Sequence, residues 1–563
     1  MTSQKQNTHE TGLVVRNRGQ FNRVLLKGNQ LFKKGQYTQA AHFLEAAWKF
    51  DNSNSQIAVQ IANCLFHIGE KARAIETLIE CLEQDPGNAD ICTVIGGAAL
   101  KFNFHDIAFK AYEHYTRLKP SDPKGYVNLA AALKEIGQFD KAIDLLQEII
   151  PIYPEYVGLW TSLASVVQLR DGPEASLVFY EEAHRLDSDD RLALYNLSKI
   201  HDDLGNRDRA KELAQACVKK FNEFPQAHML YSKILLNEGI LSDGWKEYGW
   251  RHHPGSNSSC YLPYKISRWE NNADISGKTL LISAEQGVGD ELLATPVYDQ
   301  IIDRAAHVYI GCDPRLVSLF ENSFPKATIL ACTIIQTPDG REGRHYAALE
   351  ENIAERIDYM CTSLDCLANL WQSVDNIKSR NKILTPAPEL VTTWQNRLDS
   401  LPSKPNIGIC WRSGVLHVQR KIHYADLDDW LPVLKNKNVN FVNIQYGDCK
   451  DELKQLEKKH GIIIHNFEDL DLKDDFEGTS AMMSCLDLAM GPTTTPVIQA
   501  GLTGTEIWWM SEEHPWWTFG EENPRWLEKG YIHAKKATDK WPVFMKEMAN
   551  TFNEWVDKKL AGK

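Results

Sequence analysis

Apolar and polar positions alternate with a helical period through the first half of the chain, and the pattern recurs every 34 residues. Within a unit, apolar residues fall three or four positions apart, as in the segment 142–146 (AIDLL). Residues that suit a tight turn recur with the same period: Gly35, Gly69, Asn103, Gly137, Asp171, Gly205 and Gly239. The pattern therefore predicts pairs of antiparallel amphipathic helices joined by short turns.

Small residues occupy two fixed positions of the repeat, counted with Phe21 as the first position of the first unit. The eighth position holds Gly28, Ala62, Gly96, Ala130, Ala164, Ser198 and Ser232. The twentieth holds Ala40, Ala74, Ala108, Ala142, Ser176, Ala210 and Gly244. Two helices that pack closely need small side chains where their axes cross, so both columns belong on buried helix faces.

A helix-turn-helix unit of this length with these small-residue columns resembles the tetratricopeptide repeat. The resemblance covers residues 21–250 in six to seven units, and residues 1–20 are predicted to form a disordered tail. Arrays of such repeats form a superhelix whose concave face binds extended peptides. Three polar residues are candidates for contacting a bound acceptor peptide, with ordinary solvated positions as the alternative: Asn63, Asn128 and Asn196.

Beyond the repeats the pattern changes. Aromatic residues crowd the end of the seventh unit around Trp245 and Trp250, which predicts a packed junction over residues 251–276. From residue 277, short apolar runs alternate with amphipathic segments, the pattern of parallel sheets covered by helices. The predicted strands are 279–284, 307–311, 327–331, 356–360, 406–411, 439–445, 461–465, 486–490 and 505–510, and a last helix covers about 539–559.

The predicted strands fall into two series separated by a Pro-containing segment. They predict two Rossmann-like lobes, residues 277–400 and 401–563, facing each other across a cleft. The predicted fold class is therefore α plus α/β, a helical solenoid followed by two doubly wound lobes.

Composition and charge narrow the function classes. The 563 residues are 43% hydrophobic and 24% charged, as in ordinary globular proteins, and their formal net charge of −13 argues against a nucleic-acid partner. None of the twelve cysteines forms a CxxC pair, which favours buried thiols in a reducing compartment over a zinc site. Residues 1–20 lack an apolar core, and no apolar run approaches the roughly 20 residues of a membrane span. The sequence thus predicts a cytoplasmic protein.

The segment 278–296 (KTLLISAEQGVGDELLATP) reads as a buried strand, a glycine turn and a helix start. Gly287 and Gly289 place backbone N–H groups where a ligand can meet them. Leu292 stands where the dinucleotide fingerprint has its third glycine, which argues against a nicotinamide cofactor. Asp290 is a candidate general base, because the helix start should keep its carboxylate ionised, and an ordinary capping aspartate is the alternative.

The second strand series offers polar groups that suit a nucleotide diphosphate. Arg412 follows one strand at its carboxyl end, where ligands bind in open parallel sheets. Arg420 and Lys421 follow in a loop and are candidates for binding diphosphate oxygens, with surface solubility as the alternative. Gln445 ends another strand and suits a base or a ribose.

Three consecutive threonines, Thr493, Thr494 and Thr495, follow a Gly-Pro pair at the end of a predicted strand and precede a helix. Hydroxyls and free N–H groups at a helix start bind anions, so this turn is a candidate phosphate site. Simple helix capping is the alternative, although three threonines exceed what one cap requires.

Several of these segments together carry a second resemblance. The segments are 285–291 (EQGVGDE), 312–316 (CDPRL), 411–414 (WRSG), 443–448 (NIQYGD) and 484–488 (SCLDL). They resemble the bacterial glycosyltransferases that follow tetratricopeptide arrays, whose catalytic region is similar to the heptosyltransferases and has the GT-B fold. The resemblance spans nearly the whole chain after residue 20.

The resemblance implies a transferase that needs no metal and no cofactor beyond a nucleotide-sugar co-substrate. It implies transfer of a sugar to Ser or Thr hydroxyls of a protein held by the repeats, with flagellin as one such acceptor. Asp290 matches the base of the heptosyltransferases, and Thr494 and Thr495 fall in their phosphate-binding turn. Pro496 follows where the related turn often has a histidine, so no role of that histidine carries over. A surface-glycan or lipopolysaccharide transferase and a non-catalytic tetratricopeptide adaptor are the alternatives.

Overall fold

Antiparallel helix pairs occupy the chain up to the middle of its length, as the 34-residue pattern predicts. The computed structural model describes residues 19–52, 54–256, 258, 260–337, 341–349, 355–414, 423–511, 515–536 and 539–562. The chain forms two compact units, one up to Ala193 and one from Leu194 onward. The helices of the first unit are 19–33, Tyr37–Trp48, Ser55–His67, Lys71–Gln84, Ala89–Lys101, His105–Leu118, Pro123–Glu135, Phe139–Ile149, Val157–Asp171 and Pro173–Leu186.

Turn residues and caps set the limits of these helices. Asn54 and Asn88 cap helix starts by accepting hydrogen bonds from the N–H groups of Ile57 and Ile91, both at 3.2 Å. The predicted turn column adopts the left-handed conformation at Gly35, Gly69, Asn103, Gly137, Gly205 and Gly239. Asp171 is the exception, because its helix continues to Asp171 itself and Gly172, with φ of 99°, makes the turn instead.

The small-residue columns lie where neighbouring helices touch. A Cβ added at Gly96 would come within 2.4 Å of the Tyr112 ring, so no larger residue fits there without a shift. In the later repeats Ser198 and Ser232 donate hydrogen bonds of 2.8 Å to the carbonyls of Ala210 and Gly244. The eighth and twentieth positions of these units are therefore in direct contact, as the two columns predict.

The second unit begins with the last helices of the repeat pattern and continues into parallel sheets. Its helices, given with the one that crosses the unit boundary, are Arg191–Asp203, Arg207–Lys220, Pro225–Asn237 and Leu241–Tyr248, followed by the 3₁₀ turn Gly249–His252. The strands, labelled in order, are β1 Cys260–Tyr261, β2 Ser267–Arg268, β3 Thr279–Ser283, β4 His307–Cys312, β5 Thr328–Ala331, β6 Thr333–Gln336, β7 Glu342–His345, β8 Tyr359–Thr362, β9 Asn406–Ile409, β10 Asn440–Asn443, β11 Ile464–His465, β12 Leu488–Pro492, β13 Glu506–Ser511 and β14 Gly530–Ala534.

Two sheets are entirely parallel. The first sheet has five strands in the order β2-β8-β3-β4-β5, and the second has six in the order β11-β10-β9-β12-β13-β14. A small sheet, β1-β7-β6, stands apart and contains the antiparallel pair β6 and β7. The alternation of helices with parallel strands predicted from the sequence is confirmed.

Helices connect and cover the strands of the two parallel sheets. They are Val288–Ala294, Tyr298–Arg304, Val317–Ser323, Ser363–Leu370, Pro388–Asp399, Leu431–Leu434, Lys450–His460, Phe476–Met483, Thr495–Leu502 and Trp541–Ala561. The part of the chain described here includes no helix that meets the length and hydrophobicity of a membrane span.

One hydrophobic core joins the end of the repeats to both sheets. It contains Trp245 and Tyr248 from the last repeat, Leu280 from the first sheet and Ile507 from the second. The indole N–H of Trp245 donates a 2.6 Å hydrogen bond to the Trp371 carbonyl. Four tryptophans in the last part of the chain are also buried and therefore serve in packing: Trp508, Trp509, Trp517 and Trp526.

The predicted array of repeats extends to residue 250, whereas the division into two compact units falls within it. The boundary between the two units falls at Ala193 and Leu194, inside the helix Arg191–Asp203. The final repeat helices thus share a unit, and a core, with the sheets.

Candidate functional site

The strand order of the second sheet brings two of the predicted segments to one crevice. Counted along the chain from β9, its six strands have the order 3-2-1-4-5-6 of a doubly wound fold, whose switch point lies between the adjacent strands β9 and β12. Arg412 follows β9, and Thr493–Thr495 follow β12 at the same edge. A Cβ at Gly491 would lie 2.4 Å from the Cys410 carbonyl oxygen, so the two chain segments approach as closely as glycine permits.

The first sheet has its own switch point between β3 and β8. Chain order proceeds from β3 through β4 to β5 on one side and returns to β8 on the other. The turn 284–287 leaves β3 at this point and enters the helix Val288–Ala294, which carries Asp290 in its first turn. Asp290 therefore lies at the carboxyl edge of the first sheet, where open α/β sheets bind ligands.

The helices that begin at these two edges pack against each other. Val288–Ala294 contacts Thr495–Leu502, and a Cβ added at Gly289 would lie 3.0 Å from the Thr495 Oγ1 atom. Gly289 and Thr495, two candidate binding residues that lie about 200 positions apart in the sequence, are thus neighbours in the fold. Asp290 and Thr494 are their direct neighbours in the chain.

The threonine turn exposes hydroxyl groups to this edge. Thr493 is exposed and Thr495 is half-buried, and the hydrogen bonds found among the described residues leave both hydroxyls unused. Thr494 is buried, and its Oγ1 lies 3.4 Å from the Cys410 Sγ and donates to the Pro492 carbonyl at 3.3 Å. Thr494 therefore anchors the turn, while Thr493 is exposed and Thr495 lies against the helix that carries Asp290.

Asp290 is half-buried and accepts a 3.2 Å hydrogen bond from the Gly287 N–H. Burial raises the pKa of its carboxyl to about 6, opposed by the Gly287 hydrogen bond and by Arg251, and reinforced by the charge of Glu285. Loss of solvent outweighs the N–H groups of the helix start, so the pKa of Asp290 lies above its ordinary value. A pKa near 6 still leaves the carboxylate ionised at neutral pH.

The turn before Asp290 is strained and tightly held. Gln286 has a φ of 52°, in the left-handed region that non-glycine residues rarely occupy. Its carbonyl accepts a 3.3 Å hydrogen bond from the Arg344 guanidinium. Gly287 is exposed at the tip of the turn. The backbone here is fixed from both sides, which suits a residue that must be held in one place.

Sequence reasoning missed the arginine that fills the crevice of the first sheet. Arg251, from the turn after the last repeat helix, donates to both carboxylate oxygens of Glu285, at 2.9 and 3.0 Å. It also donates to Thr362 at the end of β8 and to Asp365. Its only sequence signal was a position in the aromatic junction, which gives no hint of a partner 34 residues away.

Glu291 was quoted in the sequence motif but given no role. It is buried, and its Oε2 accepts a 2.9 Å hydrogen bond from the Asp313 N–H. Burial raises the pKa of its carboxyl to about 8. It therefore connects the helix of Asp290 to the end of β4 as a largely neutral side chain.

Arg412 is engaged with protein groups in this structure. Its Nη2 lies 2.5 Å from the Glu452 Oε1 and donates to the Asp448 carbonyl at 2.8 Å. Gln445 is fully buried, and its Oε1 accepts from the Trp411 and Arg412 N–H groups at 3.1 and 2.9 Å. Gln445 thus shapes the loop after β9 from inside instead of facing the crevice. Arg420 and Lys421 lie outside the described residues.

The three asparagines lie on the first helices of their repeats. Asn128 and Asn196 share the sixth position of the unit and are half-buried, whereas Asn63 stands at the ninth position and is exposed. In the second unit, a cavity of about 340 Å³ is lined by Tyr195, Met229 and Leu230, with Lys199 and Lys233 among its polar groups; Asn196 is not one of its lining residues. The two lysines form ion pairs with Asp203 and Asp202.

Comparison with known proteins identifies the repeats. Tetratricopeptide repeat models match residues 31–101, 125–156 and 193–219. The chain therefore carries tetratricopeptide repeats, followed by a region of helices and parallel sheets. Such repeats indicate protein partners.

Relatives with long and short matches differ in what they share with the chain. Protein FlbA of Caulobacter vibrioides is 28% identical over 495 residues, which cover 86% of this chain and 82% of that protein. The general transcriptional corepressor ssn6 of Schizosaccharomyces pombe is 25% identical over 146 residues, covering 26% of this chain and 13% of its own. The match to FlbA thus includes the sheet region, and the match to ssn6 is far shorter.

Solved structures match less of the chain. A tetratricopeptide repeat protein from Parabacteroides merdae aligns over 42% of this chain and 94% of its own, with 13% identity and a TM-score of 0.35. The MamA protein aligns over 30% of this chain and 92% of its own, with 19% identity and a TM-score of 0.26.

Proposed function

We propose that the protein is a GT-B glycosyltransferase that moves a sugar from a nucleotide-sugar to a hydroxyl group of a protein held by its repeats. The observation that carries this proposal is the contact between Gly289 and Thr495. It joins the edges of two parallel sheets at their switch points, where open α/β sheets bind ligands as a rule. Two such edges facing each other provide one place for a donor and one for an acceptor.

The second sheet is the side that we assign to the nucleotide. Its crevice ends in the exposed Thr493 and half-buried Thr495 at the start of the helix Thr495–Leu502. Hydroxyls and N–H groups at a helix start stabilise the phosphate that leaves as the sugar is transferred. The crevice of the first sheet is filled by Arg251, which supports the same assignment.

Asp290 is the group that we assign as general base. With a pKa of about 6 it is ionised at neutral pH and accepts a proton from an acceptor hydroxyl without holding it permanently. Asp290 would take the Ser or Thr proton while the sugar carbon bonds to the hydroxyl oxygen and the nucleotide diphosphate departs. Arg412 is paired with Glu452, so it can bind the phosphate of the donor only after that ion pair breaks.

The repeats are the part that we assign to the acceptor. The matched repeat models support a protein partner, and the resemblance noted from the sequence makes flagellin the first acceptor to test. The cavity lined by Tyr195 and Met229 belongs to the same compact unit as the two sheets. A chain bound there would be held by the unit that also contains Asp290.

A non-catalytic adaptor is the second candidate, because the matched models describe only the repeats. The two candidates differ in whether the sheet region consumes a donor. A panel of nucleotide-sugars is first screened for those that raise the melting temperature of the full chain. Flagellin is then co-expressed with the wild type, with Asp290→Asn and with Asp303→Asn, and its intact mass is measured.

We expect a sugar-sized mass increase with the wild type and with the exposed control Asp303→Asn, and none with Asp290→Asn. No stabilising donor and no mass increase with any variant would favour the adaptor. A mass increase that survives Asp290→Asn would show that another group serves as the base.

A further inference from the structure

Arg251 stands at the point where the repeats end and the sheets begin. It lies in the 3₁₀ turn Gly249–His252, directly after the last repeat helix, and only 1% of its side chain is exposed. A guanidinium cannot shed its proton in a protein, so this is a permanent charge in the interior. Such a charge is tolerated only where hydrogen-bonded acids surround it.

The acceptors around Arg251 come from both sides of the switch point of the first sheet. Two bonds, of 2.9 and 3.0 Å, reach Glu285 just after β3, and one of 3.1 Å reaches the Thr362 hydroxyl at the end of β8. A further bond of 2.6 Å reaches Asp365 in the helix that follows β8. The Tyr248 ring covers the guanidinium, with 4.5 Å between its centroid and the Arg251 Cζ. One side chain therefore ties together the ends of two strands.

Glu285 transmits this fixation to the turn. It is fully buried, and its Oε1 also accepts a 2.9 Å hydrogen bond from the Leu364 N–H, so both of its oxygens are engaged. Burial alone would raise the pKa of Glu285, but the charge and the hydrogen bonds of Arg251 together outweigh it and lower the pKa. The next residue, Gln286, is the one in the strained left-handed conformation, and Asp290 follows four residues later.

We propose that Arg251 is a positioning residue that holds the turn 284–290, and with it Asp290, in the geometry that transfer requires. The activity of the site would then depend on the last repeat, because Arg251 lies in the turn that directly follows its last helix. The proposal rests on the proposed function for its effect on transfer. Its effect on the turn is independent of that function.

Arg251 and Glu285 also influence Asp290 in opposite electrostatic senses. Among the described residues, the charged and titratable groups that act on Asp290 include Glu285 and Glu291 from its own segment and Arg251 and Tyr248 from the junction. The negative charge of Glu285 raises the pKa of Asp290, and the positive charge of Arg251 lowers it. Substitutions that keep or remove a charge can therefore be told apart by the pH at which activity appears.

The experiment uses the full chain with Arg251→Lys and Glu285→Gln. Lysine keeps the charge but has no two-pronged donor, and glutamine keeps the shape but loses the charge. Arg380→Lys is the matched control, because Arg380 forms an ion pair with Asp299 away from the turn. Transfer is measured as kcat and KM across pH, and amide hydrogen exchange is measured for the segment 284–294.

We expect Arg251→Lys to lower kcat by about tenfold or more with the acid limb of the pH profile unmoved. Glu285→Gln should shift that limb to lower pH. Both variants should exchange faster in 284–294, whereas Arg380→Lys should match the wild type throughout. Exchange and kcat equal to the wild type in Arg251→Lys would overturn the proposal.

Failure of the proposed function gives a different result. If the wild type transfers no sugar, only the amide hydrogen exchange of the segment 284–294 tests the proposal. Faster exchange in Arg251→Lys that is confined to this segment would still support Arg251 as the positioning residue. If Arg251→Lys does not fold, Glu285→Gln decides, and a variant with unchanged exchange and unchanged pH limb overturns the proposal.

Discussion

Two neighbouring carboxyls at the edge of the first sheet are in different surroundings. Asp290 is half-buried at the start of its helix, and Glu291 is buried beneath it with the Asp313 N–H as hydrogen-bond donor. Removal from water raises the pKa of both, to about 6 and about 8. Adjacent acids with separated pKa values are a common arrangement where one must ionise and the other must not.

The raised pKa of Asp290 predicts a stability cost that can be measured without any substrate. The native state holds this proton between the ordinary pKa of 3.8 and about 6, where the unfolded chain releases it, so stability falls as pH rises through that window. Asparagine never ionises. Asp290→Asn should therefore be more stable than the wild type above pH 6, by about 1–2 kcal/mol after solvent screening, and equal to it below about pH 4.

Glu291→Gln is the matched control for this prediction, with urea denaturation from pH 4 to pH 9 as the measurement. The pKa of Glu291 is raised from 4.5 to about 8. The gain in stability of Glu291→Gln over the wild type should therefore keep growing between pH 6 and 8, while the gain of Asp290→Asn stays constant. Equal pH profiles for Asp290→Asn and the wild type would show that the Asp290 carboxyl has an ordinary pKa.

Sequence reasoning could place Asp290 but not its surroundings. The strand, the glycines and the helix start are local features, and all three are present where the sequence predicts them. The pKa of Asp290 depends first on its burial and then on Glu285 and Arg251, whose pairing is a contact over 34 residues that no local pattern records. Gln445 shows the same limit, because its position at a strand end fits a ligand contact while its side chain turns inward.

At the scale of elements, the helices Val288–Ala294 and Thr495–Leu502 define the site by their approach. Glycine at position 289 allows it, since an added Cβ would lie 3.0 Å from the Thr495 Oγ1 and 4.0 Å from its Cβ. Alanine in a helix is otherwise favoured over glycine by about 0.5–1 kcal/mol. For a change from glycine to alanine at position 289, the crowding against Thr495 therefore destabilises the protein while the higher helix propensity stabilises it.

A double-mutant cycle separates these two effects. Gly289→Ala alone should leave the free energy of unfolding nearly unchanged, because the crowding of the Thr495 hydroxyl offsets the gain in helix propensity. In a Thr495→Ala background the same change should stabilise the protein by about 0.5–1 kcal/mol. Thermal and urea unfolding of the four proteins provide the measurement.

Gly249→Ala serves as the control for this cycle, since a Cβ there meets nothing within 4 Å. It should show no coupling to Thr495→Ala. A coupling energy of zero between positions 289 and 495 would contradict the close approach of the two helices.

Elements with a strong period were predictable, and short ones were not. All nine predicted strands are present, although several are shorter than predicted, as for Ile464–His465. The strands β1 and β2 have two residues each, too few to show any alternation, and β14 follows a turn crowded with aromatic residues. The turn at Gly172 in place of Asp171 reflects the same limit, since a period fixes a position only to within a residue.

At the scale of the whole molecule, the repeat pattern and the packing divide the chain at different places. The pattern continues to about residue 250, but the compact unit that contains the sheets begins at Leu194. Trp245 packs against Trp516 and Phe519 with ring centroids 5.8 Å from each, and Gly239 lies where a Cβ would be 3.1 Å from the Phe519 carbonyl oxygen. The last repeat is therefore part of the sheet region's core.

This packing predicts where the chain can be cut. A fragment of residues 187–563 retains the whole second unit and should unfold cooperatively, near the melting temperature of its transition in the full chain. A fragment of residues 253–563 lacks Trp245 and Arg251, which leaves Glu285 as an uncompensated buried charge and exposes the aromatic surface around Trp371. Loss of a buried ion-pair partner alone costs about 3–5 kcal/mol, so this fragment should aggregate or melt far below the longer one. Circular dichroism melts and size-exclusion chromatography compare the two, and equal melting of both fragments would mean that the last repeat is dispensable for the sheets.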